Sequence, residues 1–308
     1  MIGRDTPRLL PRLISHRPLA ADPTYVRSGR HRIRPCMIVL GVRRRSVPAE
    51  TSGLSLVCHQ ERSTVSTVSN LRAEPKQAFH CRPPDQRTRE RYRTIFAMTE
   101  PLKERPLKAM FDRTVALAGL VIATPIFLLL FAGYLLDGLL NRDNRGPAFV
   151  YYWAISAGRR FPKYKFRTIK TGCVDQELAK RGDWHAYAGE WTPESLTKVG
   201  RFVKKTYLDE LPQLWNILRG DMSFVGPRPL AVHHYERDLA QGNVSRMLLK
   251  GGLVGQGQAL KGTDNLGDPS AEYDYIEKYL SLSETGLLWH DLKTIGRSLA
   301  VVLQAKGL

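Results

Sequence analysis

The most apolar stretch of the sequence runs from Val115 to Leu136, 22 residues without a charged side chain. As an α-helix it would be about 33 Å long, enough to cross a hydrocarbon layer of about 30 Å. Burial in a soluble core is the alternative interpretation, but an uncharged run of this length is unusual there. The pattern therefore predicts a helix embedded in a membrane.

The path of this helix is set by a central proline and by basic residues on both sides of the run. Pro125 bends a helix by removing a backbone hydrogen bond, and the Thr124 hydroxyl could bond to a freed carbonyl. A helix that kinks at Thr124-Pro125 and returns would keep both basic flanks on the cytoplasmic side, where such residues are usual. The residues alone leave this hairpin and a plain span equally open, because Pro also occurs in spanning helices. The flanks are Lys103, Arg105, Lys108 and Arg113, and then Arg142, Arg145, Arg159 and Arg160.

The pattern after this run predicts a globular domain that is mainly α with a small β-hairpin. The hairpin comes from two β-type stretches, 148–153 and 164–169, and the alternation in the second turns Lys165 and Arg167 toward polar surroundings. A short helix is predicted from Leu211 to Leu218, with Pro212 in its first turn. The other expected elements are helices at 230–250 and 272–280, a flexible loop at 251–257, and an amphipathic helix at 287–303 that packs on the core or lies in the membrane interface.

Charge is distributed unevenly along the chain. Residues 1–97 hold 19 Lys and Arg against 7 Asp and Glu, so they carry +12 of the net charge of +18. Eighteen of these basic residues are Arg, and the segment has no sustained period of 3.6 or 2. One interpretation is a disordered basic arm that binds nucleic acid or anionic lipid. The favoured interpretation is that the segment is an artefact of start-site choice, because Met98 would be a sensible start just before structure begins.

These patterns divide the chain into three parts: residues 1–97, which are Arg-rich; 98–145, with the membrane helix; and 146–308, a globular domain expected on the cytoplasmic side. The four Cys support no disulfide or metal framework, since no CxxC or Cys/His ligand spacing is present. A reducing, cytoplasmic environment is expected for the domain. Outside residues 1–97 nothing indicates a nucleic-acid partner. The oligomeric state is left open, a homo-oligomer included.

The candidate chemistry lies between Lys204 and Pro229. Asp209-Glu210 precedes the predicted short helix, where carboxylates are commonly structural caps. Their neighbours favour another use, because Lys204 lies upstream and Arg228 is held in a Pro-bounded turn downstream. Paired carboxylates can bind a divalent cation, or one can act as a nucleophile, while basic residues suit a phosphate group. The residues alone indicate phosphoryl chemistry at a membrane.

The string from Thr206 to Pro229, TYLDELPQLWNILRGDMSFVGPRP, closely resembles the bacterial sugar transferase family, the monotopic phosphoglycosyl transferases. The resemblance extends from about Leu107 to the C-terminus. It includes Phe111-Asp112, the apolar run with its central Pro, the motif YKFRT at 164–168 and the closing Asp291-Leu292-Lys293. Residues 1–97 have no counterpart in the family. The resemblance also favours the re-entrant hairpin over a helix that crosses the membrane.

The resemblance implies a reaction. A UDP-sugar donates its sugar 1-phosphate to polyprenyl (undecaprenyl) phosphate at the cytoplasmic face of the bacterial inner membrane, and UMP is released in a step that requires Mg²⁺. Asp209 would form a phosphosugar-aspartyl intermediate, and Glu210, together with Asp209, would hold Mg²⁺. Arg228 would contact the nucleotide or its phosphates. Lys165, Arg167 and Lys204 would complete the substrate pocket.

The chain departs from the family pattern at several positions, and two alternatives follow. Trp153 and Ile155 replace a common Arg-x-Gly, Lys204 replaces a common Arg, and the loop at 251–255 differs from Pro-Gly-x-Thr-Gly. These departures bear on nucleotide contacts and sugar choice, so a non-uridine donor is one alternative. A catalytically silent membrane scaffold of polysaccharide assembly is the other. It predicts loss of Asp209 or Glu210, and both are present.

Overall fold

The computed structural model describes residues 82–255 and 268–303 of the chain. These residues form mainly helices, with a small antiparallel sheet and a separate pair of parallel strands. The helices are α1 (Gln86–Arg91), α2 (Arg93–Phe96), α3 (Pro106–Leu140), α4 (Gln176–Lys180), α5 (Lys198–Lys205), α6 (Gln213–Arg219), α7 (Val232–Ala240), α8 (Ser245–Leu248), α9 (Ser270–Ser281) and α10 (Glu284–Leu303). The strands are β1 (Phe149–Ser156), β2 (Arg159–Phe166), β3 (Ser223–Val225), β4 (Leu230–Ala231) and β5 (Gly252–Val254). The predicted mainly α fold with a small β-hairpin is confirmed.

The predicted membrane helix is α3, one continuous helix of 35 residues. It begins with Pro106, whose fixed φ suits the first helical position. Pro125 lies inside it, and the Thr124 hydroxyl donates to the Leu120 carbonyl at 3.0 Å. The carbonyl that Pro125 deprives of a donor belongs to Val121, so the predicted back-bond is present but one residue away from the freed group. Within the described residues, α3 alone is long and apolar enough to cross a membrane.

Helix α3 packs against the globular domain along most of its length. Near its start Lys108 donates to Asp291 of α10 at 2.5 Å, and Gly119 lies against α6. Near its end the Tyr134 hydroxyl donates to the carbonyl of Arg167, just after β2. The outer face of α3 is apolar and exposed, and its residues Val121, Ile122, Leu128, Leu129 and Leu140 are 64–81% exposed.

The β-hairpin extends closer to its turn than predicted, and β2 ends at Phe166 instead of continuing to residue 169. β1 and β2 pair from Phe149↔Phe166 to Ser156↔Arg159. The two turn residues, Ala157 and Gly158, both have positive φ, as the tight turns of two-residue hairpins require. β4 joins the other edge of β1, which gives the order β2-β1-β4.

Two predicted elements differ in the structure. The single helix expected at 230–250 is wrong: Leu230–Ala231 is β4, and α7 and α8 follow, separated by a turn in which Gly242 has φ +89°. The flexible loop expected at 251–257 contains β5, which pairs in parallel with β3. Residues 256 and 257 lie outside the described residues. Both errors have one cause, since short strands are specified by distant partners that local patterns do not reveal.

The folded region begins before Met98. Helices α1 and α2 pack on the core through Tyr92 and Ile95, each 2% exposed, and the Tyr92 hydroxyl donates to Asp274 in α9 at 2.5 Å. Residues 82–97 are therefore part of this domain, and residues 97 and 98 do not mark a structural boundary. Residues 1–81, with the basic-arm and start-site interpretations that rest on them, lie outside the described residues.

Candidate active site

The floor of the candidate site is the face of β2 that carries Lys163 and Lys165. Side chains alternate along a strand, so these two residues point to the same side. Their partners across the hairpin are Tyr152 for Lys163 and Val150 for Lys165. Lys163 is 1% exposed, so its ammonium group lies inside the protein.

Asp209 reaches this face from a strained turn. Helix α5 is capped by Thr197, whose hydroxyl accepts from the amide of Gly200 at 2.7 Å, and it ends at Lys205. Tyr207 then adopts a left-handed conformation, φ +57°, which is unfavourable for a bulky side chain. A single 3₁₀ turn, Leu208–Glu210, follows and carries both carboxylates. The turn aims Asp209 at β2.

The side chain of Asp209 is buried beside a lysine that it shares with a second acid. Nζ of Lys165 lies 2.9 Å from Oδ2 of Asp209 and 3.8 Å from Oε2 of Glu190. Burial raises the pKa of Asp209, and the charge of Lys165 opposes that rise. Burial would lower the pKa of Lys165, but Glu190 and Asp209 outweigh it and raise that pKa. The resulting group is a desolvated carboxylate with one cation beside it.

Glu210 has a different environment from its neighbour. It forms an ion pair with the guanidinium of Arg228, whose second nitrogen lies 3.5 Å from the other carboxylate oxygen. Burial would raise the pKa of Glu210, but Arg228, Lys163 and Lys165 lower it to about 2. The pKa of Arg228 is raised by Glu210. The two adjacent acids thus differ: Glu210 is held strongly as an anion, and Asp209 is the more basic carboxylate.

The turn that carries Arg228 is held by a close backbone approach and by a buried arginine. A Cβ added to Gly226 would lie 2.3 Å from the carbonyl oxygen of Lys250, so only glycine fits there. The amide of Gly252 donates to the carbonyl of Pro227 at 2.9 Å. Nε of Arg246, which is 5% exposed, donates to the carbonyl of Arg228 at 2.9 Å. β5 and Arg246 together fix where the Arg228 side chain begins.

Lys204, a predicted substrate-binding residue, lies at the edge of this group. Its ammonium donates to the carbonyl of Glu190 and sits 4.3 Å from the ring centre of Trp191. Burial lowers the pKa of Lys204, and the nearby charge of Glu190 partly offsets this decrease. The lysine is therefore near Glu190 and Lys165 but is held by a backbone oxygen and an aromatic ring.

Arg167, another predicted substrate-binding residue, makes contacts that the sequence did not predict. It is 2% exposed, and its three guanidinium nitrogens donate to the carbonyls of Pro147, Ile169 and Asn144 at 2.9, 2.7 and 2.8 Å. These contacts tie the end of β2 to the segment after α3. The structure gives Arg167 a structural environment and brings Asp209, Glu210, Lys165 and Arg228 together instead.

Thr124 and Pro125, the predicted membrane kink, lie inside the continuous helix α3, and the kink itself stays a prediction. Two residues of the site were missed by sequence reasoning. Lys163 carried a usable signal, since the alternation that selects Lys165 also selects the residue two positions earlier. Glu190 carried none, because it reaches Lys165 from a 3₁₀ segment, Trp184–Trp191, within a stretch without periodicity.

The departures from the family pattern lie around this group. Trp153 stacks under the guanidinium of Arg160, 4.4 Å from the ring centre, and its amide donates to the carbonyl of Gly182. Ile155 is buried and pairs with Leu230 of β4. A Cβ on Gly251 would lie 2.8 Å from Pro229, next to the Arg228 turn. Because Trp153, Ile155 and Gly251 have uncharged side chains, these departures leave the ion pairs of Asp209 and Glu210 in place.

The donor chemistry of the site suits a hard divalent cation only in part. In the described part of the chain no group of three His, Cys, Asp or Glu side chains could hold a metal. Asp209 and Glu210 supply carboxylate oxygens, and Mg²⁺ is often held by one or two carboxylates together with substrate phosphates. The residues therefore fit Mg²⁺ that arrives with a phosphorylated substrate, and no closed protein cage is formed.

Comparison with known proteins adds a family and named relatives. The profile of the family "Bacterial sugar transferase" matches residues 103–305. An undecaprenyl-phosphate galactose phosphotransferase of Salmonella typhimurium is 32% identical over 213 residues, which are 65% of this chain and 41% of that protein. A UDP-glucose:undecaprenyl-phosphate glucose-1-phosphate transferase of Klebsiella pneumoniae is 43% identical over 214 residues, 63% of this chain and 41% of that protein. An enzyme with the same description from Caulobacter vibrioides is 34% identical over 197 residues, 59% of this chain and 67% of that protein. The chain thus spans about two fifths of the length of the first two relatives.

Proposed function

The chain belongs to the bacterial sugar transferase family, and we propose that it transfers a sugar 1-phosphate from a UDP-sugar to polyprenyl phosphate. UMP is the second product, and the reaction is the first membrane step of a polysaccharide or glycoconjugate. The observation that carries the proposal is the buried pairing of Asp209 with Lys165, next to the pairing of Glu210 with Arg228. Relatives named for transfer of galactose or glucose phosphate to undecaprenyl phosphate support it.

In the first proposed step Asp209 acts as nucleophile. A carboxylate oxygen attacks the phosphorus next to the sugar, the bond from that phosphorus to the bridging oxygen breaks, and UMP leaves with the bonding electron pair. The product is a phosphosugar-aspartyl intermediate. Burial suits this role, because a carboxylate stripped of water is a stronger nucleophile, and Lys165 opposes the rise in its pKa that burial causes.

In the second step an oxygen of the polyprenyl phosphate attacks the same phosphorus. The bond to Asp209 breaks and the free carboxylate returns, so the two steps form a ping-pong sequence. Lys165 is placed to receive the regenerated carboxylate, from which it lies 2.9 Å away.

Glu210 and Arg228 have electrostatic roles in this proposal. The guanidinium of Arg228 is a planar set of donors that suits phosphate oxygens. When the donor binds, Arg228 would leave its ion pair with Glu210 and contact the diphosphate. Asp209 and Glu210 would hold Mg²⁺, which neutralises diphosphate charge when it is bound. Lys204, at the edge of the site, would add positive charge toward the nucleotide.

The membrane arrangement follows from α3. Its N-terminal and C-terminal parts both contact the globular domain, and its outer face is apolar. A helix that crossed the membrane would carry one of these parts to the far side, away from the charged residues it contacts. We therefore propose that α3 enters and leaves on the cytoplasmic face of the bacterial inner membrane, where the globular domain meets a lipid-linked substrate.

The sugar is left open, because the relatives named above differ in it. The test of function is UMP release by the full chain from a panel of UDP-sugars, with Mg²⁺ and undecaprenyl phosphate in detergent or nanodiscs. Release from at least one donor that stops on Asp209→Asn, and not on the exposed-site control Asp143→Asn, supports the proposal. Absence of release from every UDP-sugar, with release from another nucleotide sugar, would establish a non-uridine donor instead.

A further inference from the structure

The candidate site contains a buried lysine, Lys163, that has no role in the two proposed steps. Lys163 is 1% exposed and lies on the same face of β2 as Lys165. Its ammonium forms no ion pair and no hydrogen bond with any residue in the two described segments of the chain. Its contact of note is the ring of Tyr152, whose centre is 5.9 Å away. Burying a charge without a partner is costly, so this arrangement calls for an explanation.

The charges around Lys163 compensate its own charge only in part. The charged groups that face it are Arg228, Glu210, Lys165 and Asp209. Two of them are basic, and both acids are engaged elsewhere, Glu210 with Arg228 and Asp209 with Lys165. Burial disfavours the charged form of Lys163 and lowers its pKa to about 7. An anion bound here would remove the imbalance.

Resting on the proposed function, we propose that Lys163 is a phosphate-binding residue that contacts the diphosphate of the donor on its UMP side. The largest charge effects on Lys163 come from Arg228 and Glu210, the residues assigned above to the diphosphate and its Mg²⁺, while Lys165 takes the position next to the nucleophile. Asp209 is itself only 5% exposed, so the nucleophile and the ammonium of Lys163 share one buried region that a donor must enter in order to react. The donor phosphates then supply the counter-charge that the protein does not.

The alternative is that Lys163 only supports the fold, and stability separates the two roles. Replacing an unpartnered buried ammonium by an apolar side chain of similar length removes a desolvation cost. If Lys163 is kept for binding, Lys163→Met therefore keeps or raises the melting temperature while it weakens phosphate binding. If Lys163 supports the fold, the same change lowers the melting temperature and the activity together.

The test compares wild type, Lys163→Met and the control Lys180→Met, a lysine exposed on α4. UMP is the probe for binding by calorimetry, and the two half-reactions are followed separately as a UMP burst without lipid and as transfer to undecaprenyl phosphate. We expect Lys163→Met to weaken UMP binding and slow the burst by about 10- to 100-fold, the range for a lost charged hydrogen bond, with unchanged transfer to lipid. Lys180→Met should behave as wild type.

Three results would overturn the inference: UMP affinity within twofold of wild type, a slowed transfer to lipid with a normal burst, or a lower melting temperature that accompanies the loss. Each is distinct from failure of the proposed function, in which wild type itself releases no UMP from any UDP-sugar.

Discussion

Nζ of Lys165 lies 2.9 Å from Oδ2 of Asp209, and both side chains are largely buried. The two residues are far apart in sequence, one on a strand and the other on a 3₁₀ turn after a left-handed tyrosine. The contact gives a desolvated carboxylate a single adjacent cation. Lys165 thereby opposes the rise in the pKa of Asp209 that burial causes.

Lys165→Met should reduce activity and shift its dependence on pH. A carboxylate nucleophile must be ionised, so the rate falls as pH drops through the pKa of Asp209. Burial already raises that pKa and Lys165 opposes the rise, so loss of Lys165 raises it further. The acid limb of the rate profile should therefore move to higher pH, with a loss of about 10- to 100-fold at neutral pH. A rate profile with an unmoved acid limb would show that Lys165 does not act through Asp209.

Gly226→Ala should damage the site without touching a charged group. The added Cβ would lie 2.3 Å from the Lys250 carbonyl, which would push β3 and β5 apart and displace the turn that carries Arg228. Overpacking of this kind costs about 1–3 kcal/mol of unfolding free energy, and activity should fall by more than stability alone explains. The matched control is Gly296→Ala, because a Cβ there meets nothing within 4 Å. That variant should be active and as stable as wild type or slightly more so, as measured by thermal unfolding and UMP release.

Removal of residues 82–97 should destabilise the domain. The sequence led us to expect that a chain starting at Met98 would be complete, but Tyr92 and Ile95 are buried in the core. Truncation of a buried Ile to Ala alone costs about 2–5 kcal/mol, so 98–308 should melt well below 82–308. Equal melting temperatures for the two truncations would mean that α1 and α2 contribute nothing.

The two flanks of α3 should be accessible from the same side of the membrane. Cysteines introduced singly at Lys103 and Asn141, in a chain whose own Cys are replaced by Ser, report each flank to an impermeant thiol reagent. Both should react from the cytoplasmic side only, as expected for a helix that contacts one domain at both ends. Reaction of position 141 from the periplasmic side only would establish a plain span.

The sequence and the structure agree where local signals are strong and disagree where distant contacts decide. The uncharged run, a strand that includes the first three residues of YKFRT, and the short helix after Asp209-Glu210 were all readable from spacing and propensity. The family resemblance also placed Phe111-Asp112 and Asp291-Leu292-Lys293 in one pattern; the structure joins them, because Lys108 contacts both Asp112 and Asp291.

The differences between prediction and structure have identifiable physical causes. Arg167 was assigned to the pocket because it alternates with Lys165; in the structure three backbone carbonyls accept from its guanidinium, and a contact with substrate stays a prediction. Glu190 could not be found because no local pattern marks a side chain that arrives from a 3₁₀ segment. Strand β5 was predicted as a loop because Gly252, which permits close packing against Gly226, and the glycines on either side of β5 are also typical of flexible segments.

The most direct test of the account is exchange of labelled UMP into a UDP-sugar in the complete absence of polyprenyl phosphate. If Asp209 takes up the sugar phosphate before the lipid acts, wild type regenerates labelled UDP-sugar from labelled UMP and the intermediate. Asp209→Asn should abolish the exchange, and Asp143→Asn should leave it intact. Lipid-dependent transfer by wild type without any such exchange would contradict the covalent role of Asp209.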